Sequence, residues 1–145
     1  MEIQKYTEKN LSQKQLSQLV GFAIKEWGHE EWIVNNAQYC GKKLVLNKGF
    51  RCSMHLHKVK DETFYILSGK VLMETIFEDK LEVKIMEAGD IQHIKVGMLH
   101  RFTGLENSAI IEFSTFHMDS DSYRVENSGA VSPEELNIIL SKVVD

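Results

Sequence analysis

His55 and His57 stand one residue apart in GFRCSMHLHKVKDETFYILSG, residues 49–69, and Glu62 follows five positions after His57. The stretch reads as β-strand, and successive strand side chains alternate faces, so the two imidazoles point the same way. Ser53 shares that face, while Cys52, Met54 and Leu56 are expected on the other, with Cys52 a small buried apolar residue. Two imidazoles on one face make a ready clamp for a metal ion. Glu62 lies across a short turn, where it can close the site from the side. His100, in VGMLHRF, can reach in from another hairpin. Three imidazoles and one carboxylate suit a first-row transition ion better than calcium or magnesium, which prefer oxygen. The expectation is one divalent transition ion, manganese, iron, zinc, cobalt or nickel, on His55, His57, Glu62 and His100. A six-coordinate ion on these ligands keeps adjacent positions for substrate or water, which separates a working site from a structural one. The remaining histidines are expected to do other things. His93 falls on the parity opposite Gln92 and Ile94 and should face out or pack locally, and His29 and His117 should be solvated or hydrogen-bonded, with lining of the site's mouth as the other option.

These residues need elements to hold them. KKLVLN, RCSMHLH, ETFYILSG, KVLMETIF, KLEVKIME, DIQHIKV, LHRFTG and AIIEFSTF are short runs rich in β-branched and aromatic residues. Turn signals separate them, among them NKG, KVKD, EDK and EAGD. Regularly spaced short strands predict an all-β fold, a small antiparallel barrel. Helices are expected at both ends. Leu16, Leu19, Val20, Ala23 and Ile24 follow helical spacing, Ser12 and Gln15 form a capping-box pattern, and Gly28 suits a stop, which predicts a helix over 11–27. Ser132, Pro133 and Glu135 mark the start of a second helix over 133–143. DSDSYRVENSGAVS, before it, reads as a surface loop.

Composition sets the outer limits. At 145 residues, 43% hydrophobic and 26% charged, the chain reads as one globular domain over 1–145. A net charge of -4 argues against nucleic acid or an anionic membrane as partner. No apolar run reaches the roughly 20 residues of a membrane helix, and MEIQKYTEKN has no signal-like apolar stretch. Two cysteines are too few for a disulfide framework. A cytoplasmic protein acting on a small molecule is expected.

The first stretch reads G-x5-H-x-H-x4-E-x6-G over Gly49, His55, His57, Glu62 and Gly69, and so resembles the first cupin motif without a departure. GDIQHIKVGMLHRFTG resembles the second through Gly89, Gly97 and His100, with Lys95 where proline is usual and Gly104 where asparagine is usual. The resemblance implies a double-stranded β-helix, or jelly roll, over about 30–118, with the four ligands named above. It leaves the reaction open, because one fold hosts many chemistries. Two flanking stretches narrow it. KEWGHEEWIV resembles the W-G-x-x-E stretch of sugar-phosphate-isomerase-like cupins, including the cupin domain of mannose-6-phosphate isomerases. EFSTFHMDSDSYR resembles the E-x-S-T-x-H-x-x-x-D-x-x-R stretch that follows the barrel in sugar-handling cupins, and YCGKKLVLNKG is similar to the D-lyxose isomerase group.

These likenesses imply a metal-dependent aldose–ketose isomerisation of a sugar or sugar phosphate. Moving a carbonyl between C1 and C2 removes a neighbouring proton and creates an ene-diolate, whose charge a divalent metal can hold. Glu62 is the candidate base, with a Lys or His at the mouth as the other option. Arg51, Lys58, Lys60, Lys95, Arg101 and Arg124 are candidate substrate contacts, since a phosphate would need cations. Two other classes stay open: a non-haem iron dioxygenase built on the same ligands, and a non-catalytic sugar- or small-ligand-binding module. Exposed edge strands make a homodimer the expected assembly.

Overall fold

The computed structural model describes residues 11–143. Two antiparallel sheets face each other. The first holds β1 (Gly21–Lys25), β2 (Gly28–Asn35), β3 (Cys40–Leu46), β6 (Glu62–Ser68), β9 (Ile91–Ile94) and β11 (Ser108–Ser114), in the order β1-β2-β3-β11-β6-β9. The second holds β4 (Phe50–Arg51), β5 (Met54–Leu56), β10 (Leu99–Gly104), β12 (Tyr123–Glu126) and β13 (Gly129–Ala130), in the order β12-β5-β10-β4-β13. β7 (Lys70–Phe77) pairs with β10, and β8 (Lys80–Glu87) pairs with β7. Every run that alternates in the sequence becomes a strand, and the result is the all-β jelly roll expected.

Alternation builds the core. Leu44, Leu46, Phe64, Ile66 and Ile110 from the first sheet meet Val71, Met73, Met86 and Phe102 from the second, with Trp27 closing one end. At about 25 cal/mol per Å² of apolar surface, this packing dominates stability without help from an ion. A second cluster covers an outer face. The helix α2 (Pro133–Leu140) lays Leu136, Ile139 and Leu140 onto Leu72 and Val83. Ser132 caps it by accepting from the Glu135 amide.

Two expectations change. The helix predicted over 11–27 is α1 (Gln13–Leu16) alone, with its Ser12 capping box in place. Residues 21–35 form the β1–β2 hairpin instead, with Lys25 opposite Gly28. Ile24 falls on the helical stripe with Val20 and also alternates with Phe22 at a period of two, and pairing with β2 decides between them. Gly28 is a hairpin residue rather than a helix stop. Its φ is +150°, and a Cβ there would lie 1.9 Å from the Val45 carbonyl oxygen. The segment read as a loop before α2 also orders, into a 3-10 turn (Asp119–Asp121), β12 and β13. β12 is exposed along its length and among the described residues pairs only with β5, so no apolar alternation announced it.

Candidate metal centre

β5 and β10 bring the first two ligand candidates together, for His55 lies directly opposite His100 in their ladder. His57 follows just past the end of β5, and Glu62 opens β6 in the facing sheet. One nitrogen from each of His55, His57 and His100 lies within 4.8 Å of the others, a cluster able to bind a metal. Glu62 closes the group. Its Oε2 lies 3.1 Å from His57 Nε2 and its Oε1 lies 3.6 Å from His100 Nε2. All four residues predicted as ligands therefore meet at one place.

The backbone sets the imidazoles. His55 Nδ1 donates to the Ser53 carbonyl at 2.8 Å, His57 Nδ1 to the Asp121 carbonyl at 2.7 Å, and His100 Nδ1 to the Met98 carbonyl at 3.0 Å. A carbonyl only accepts, so each Nδ1 carries a proton and Nε2 is the ring atom left for a ligand role. Among the described residues, His100 Nε2 is buried with no hydrogen-bond partner. His57 Nε2 and Glu62 Oε2 face each other at 3.1 Å. A second proton on the His57 ring or a metal ion shared by the two groups would each reconcile that arrangement, and three imidazole nitrogens beside a carboxylate are a donor set that fits a divalent ion. Burial and the neighbouring His100 push the His55 imidazole down to about 3, and burial also lowers His100, so both are neutral ligands at pH 7. Burial alone would raise Glu62, but His57 and Lys60 outweigh it and hold the carboxyl well below its usual range.

Around the cluster lies a cavity of about 360 Å³. Lys60 is buried in its wall, with Nζ 3.0 Å from Glu62 Oε2, 3.1 Å from Glu112 Oε2 and 3.1 Å from His117 Nδ1. Those carboxylates keep it charged against burial, which alone would lower it. Glu112 goes the other way, raised by burial and by the charge of Glu62. Arg124 lies opposite His55 in the β12–β5 ladder and also lines the cavity.

The other four predicted cations are elsewhere. Arg51 bonds Glu135 of α2 at 2.8 Å. Lys58 lies over the Tyr123 ring, and Lys95 over Phe77. Arg101 points to the outer side of its sheet, held by Glu74 at 2.9 and 3.0 Å and by Glu126. Sequence proximity to the ligands misled here, because neighbours on a strand alternate faces. Cys52 is a correction of the opposite kind. Arg51 pairs with Thr103 and His55 with His100, so the β4–β5 edge carries one extra residue against β10. That bulge turns Cys52 inward, where it lines the cavity, its thiol raised to about 12 by burial.

Some cavity residues escaped notice. Lys42 is buried, 3.4 Å from Glu30 and 4.0 Å from the centroid of the Trp32 ring. Its signal was parity: it alternates inward with Cys40, Leu44 and Leu46. Glu112 shares the inward parity of Ile110 and carried the same signal. Of the spare histidines, His117 lines the cavity, His93 bonds Asp61 on the surface, and His29 is buried against Glu31 and Phe22.

Residues 43–113 match the cupin domain family. No curated protein matches the chain. Among solved structures, the capsular polysaccharide assembling protein CapF from Staphylococcus aureus superposes with a TM-score of 0.66 at 18% identity, over 80% of this chain and 35% of that one. Oxalate decarboxylase from Bacillus subtilis gives 0.67 at 15%, over 89% and 36%. KdgF from Halomonas sp. gives 0.56 at 17%, over 63% and 81%. At such identities the similarity is one of fold. The chain spans little more than a third of CapF and of oxalate decarboxylase.

Proposed function

Starting from a cupin domain over residues 43–113 with three histidines converging on a cavity, we propose a metal-dependent aldose–ketose isomerase acting on a sugar or sugar phosphate. One observation carries the reading. The polar residues of the sugar-cupin-like stretch after the barrel, Glu112, His117, Asp121 and Arg124, gather around the histidine cluster. Glu112, His117 and Arg124 line the cavity. The Asp121 carbonyl holds His57, and its carboxylate accepts from the amides of Lys58, Val59 and Lys60. Trp27 of W-G-x-x-E adds an apolar wall on which a sugar ring can rest. The description of CapF as a capsular polysaccharide assembling protein supports carbohydrate as the ligand class.

His55, His57, Glu62 and His100 would hold the divalent ion, whose Lewis acidity lowers the cost of charge on a carbonyl oxygen. Isomerisation needs a base beside it. Glu62 is pinned by Lys60 and His57, which suits a ligand. Glu112 lines the same cavity with its carboxyl raised, which brings it nearer the range of a working base. Lys60, charged between them, offsets negative charge as a proton leaves C2. His117 bonds Lys60 on one nitrogen and the exposed Asp119 on the other at 2.8 Å, fixing that lysine from the solvent side.

The direct observable is exchange of the substrate C2 proton with solvent deuterium. A panel of aldoses, ketoses and their phosphates is incubated with protein loaded in turn with manganese, iron, zinc, cobalt and nickel. Exchange into at least one substrate is expected, and chelation should stop it. No exchange from any substrate, together with oxygen uptake by the ferrous protein, would replace this reading with a dioxygenase.

A further inference from the structure

Arg124 reaches the cavity because of a bulge. In the β12–β5 ladder Arg124 lies opposite His55 and Glu126 opposite Met54, so Val125 is an extra residue between them. Without it, Arg124 and Glu126 would share a face. With it, Arg124 takes the cavity side and Glu126 the outer side, where it pairs with Arg101. The carboxylate best placed to neutralise Arg124 is thereby taken away.

Among the described residues the Arg124 side chain has no ion pair or hydrogen bond, and the residue is exposed where it lines the cavity. Two of the other cavity cations are occupied: Lys42 faces Glu30, and Lys60 bridges Glu62 and Glu112, while Lys25 acts on the Asp119 carboxyl through its charge alone. Ser122 and Ser128 line the cavity on the same exit segment. Four basic side chains and four carboxylates line the cavity, so a divalent ion leaves it positive. A guanidinium is the group that grips a planar or tetrahedral oxyanion with two parallel bonds.

We infer that Arg124 is a specificity residue for an oxyanion, a phosphate ester or a carboxylate, carried by a polyhydroxy ligand whose other oxygens face the histidine cluster. This rests on the reading of the cavity as a small-carbohydrate site, and it excludes simple neutral sugars as the preferred ligand.

Calorimetric titration of the metal-loaded protein with fructose, fructose 6-phosphate and glucuronate tests it. At least one anionic ligand should bind tenfold or more tighter than fructose, and the two arms separate phosphate from carboxylate. Arg124→Gln should bring that preference to within twofold while leaving metal content and fructose affinity unchanged. Arg124→Lys should restore part of it, and raised salt should weaken it. Lys58→Gln, outside the cavity, should leave the preference intact. Equal affinity for all three ligands, absence of binding, or a preference that survives in Arg124→Gln would each overturn the inference. Because binding is read without turnover, a failure to observe C2 exchange leaves this result standing.

Discussion

Each cluster histidine spends its Nδ1 proton on a backbone carbonyl, so its chemistry is confined to one nitrogen, aimed at the others. The same economy separates the two buried carboxylates. Glu62 is shared between Lys60 and two imidazoles, whereas Glu112 has Lys60 and the Ser114 hydroxyl. Glu62→Gln should keep the fold but weaken metal affinity by at least the roughly 10- to 100-fold that loss of a partner orienting a ligand costs, since a charged ligand becomes a neutral amide. Glu112→Gln should keep the metal and lower isomerisation by about 10²–10⁴-fold, as loss of a general base does. Metal titration and exchange rates on both variants check this. If Glu112→Gln retained full turnover, Glu62 would return as the base. Acid should act through the same residues. The folded pKa of His55 is about 3 against an ordinary 6.5, so between those values the unfolded chain binds a proton that the fold refuses. Stability of the metal-free protein should therefore fall as pH drops below about 6.5, by up to about 1.4 kcal/mol per pH unit for each such histidine. Glu62, also depressed, adds to the loss at lower pH. Urea unfolding across that range checks the sign.

The segment between β11 and α2 is the element on which the site depends most. Asp121 ties it down twice, through its carbonyl to His57 and through its carboxylate to three consecutive amides, 2.9 to 3.2 Å away. Asp121→Ala frees those amides and should cost ~2 kcal/mol. It should also loosen the metal, because the 57–60 turn positions His57. Asp121→Asn, which keeps the shape, should recover much of the stability in thermal unfolding. Elements were legible in the sequence to the extent that their apolar pattern was periodic. The barrel strands alternate without ambiguity, and the H-x-H, Glu62 and His100 spacings picked out four residues that the fold brings together. β1 was misread as helix because Ile24 fits the helical stripe of Val20 as well as the alternation with Phe22. β12 was invisible because its strand character comes from pairing with β5. Bulges were the other blind spot. A one-residue insertion reverses every facing argument beyond it, which is why Cys52 and Glu126 lie on faces that simple alternation does not give.

At the scale of the molecule, folding should not need the metal, because the core runs through apolar side chains of both sheets. Chelated protein should keep its β-type circular dichroism while losing exchange activity. No helix among the described residues is long and apolar enough to cross a membrane. Among the described residues β8 and β9 each pair on one side only, leaving open edges. We propose a homodimer that protects such an edge, and sedimentation velocity at micromolar concentration checks it, a monomer being the contrary result. The most direct test of the whole account is metal analysis after extensive dialysis, on the natural protein and on one variant carrying both His55→Ala and His57→Ala. About one equivalent of a divalent transition ion per chain is expected in the natural protein, and almost none in the variant, with both folded. A full equivalent retained by the variant would contradict the assignment of this cluster as the metal centre.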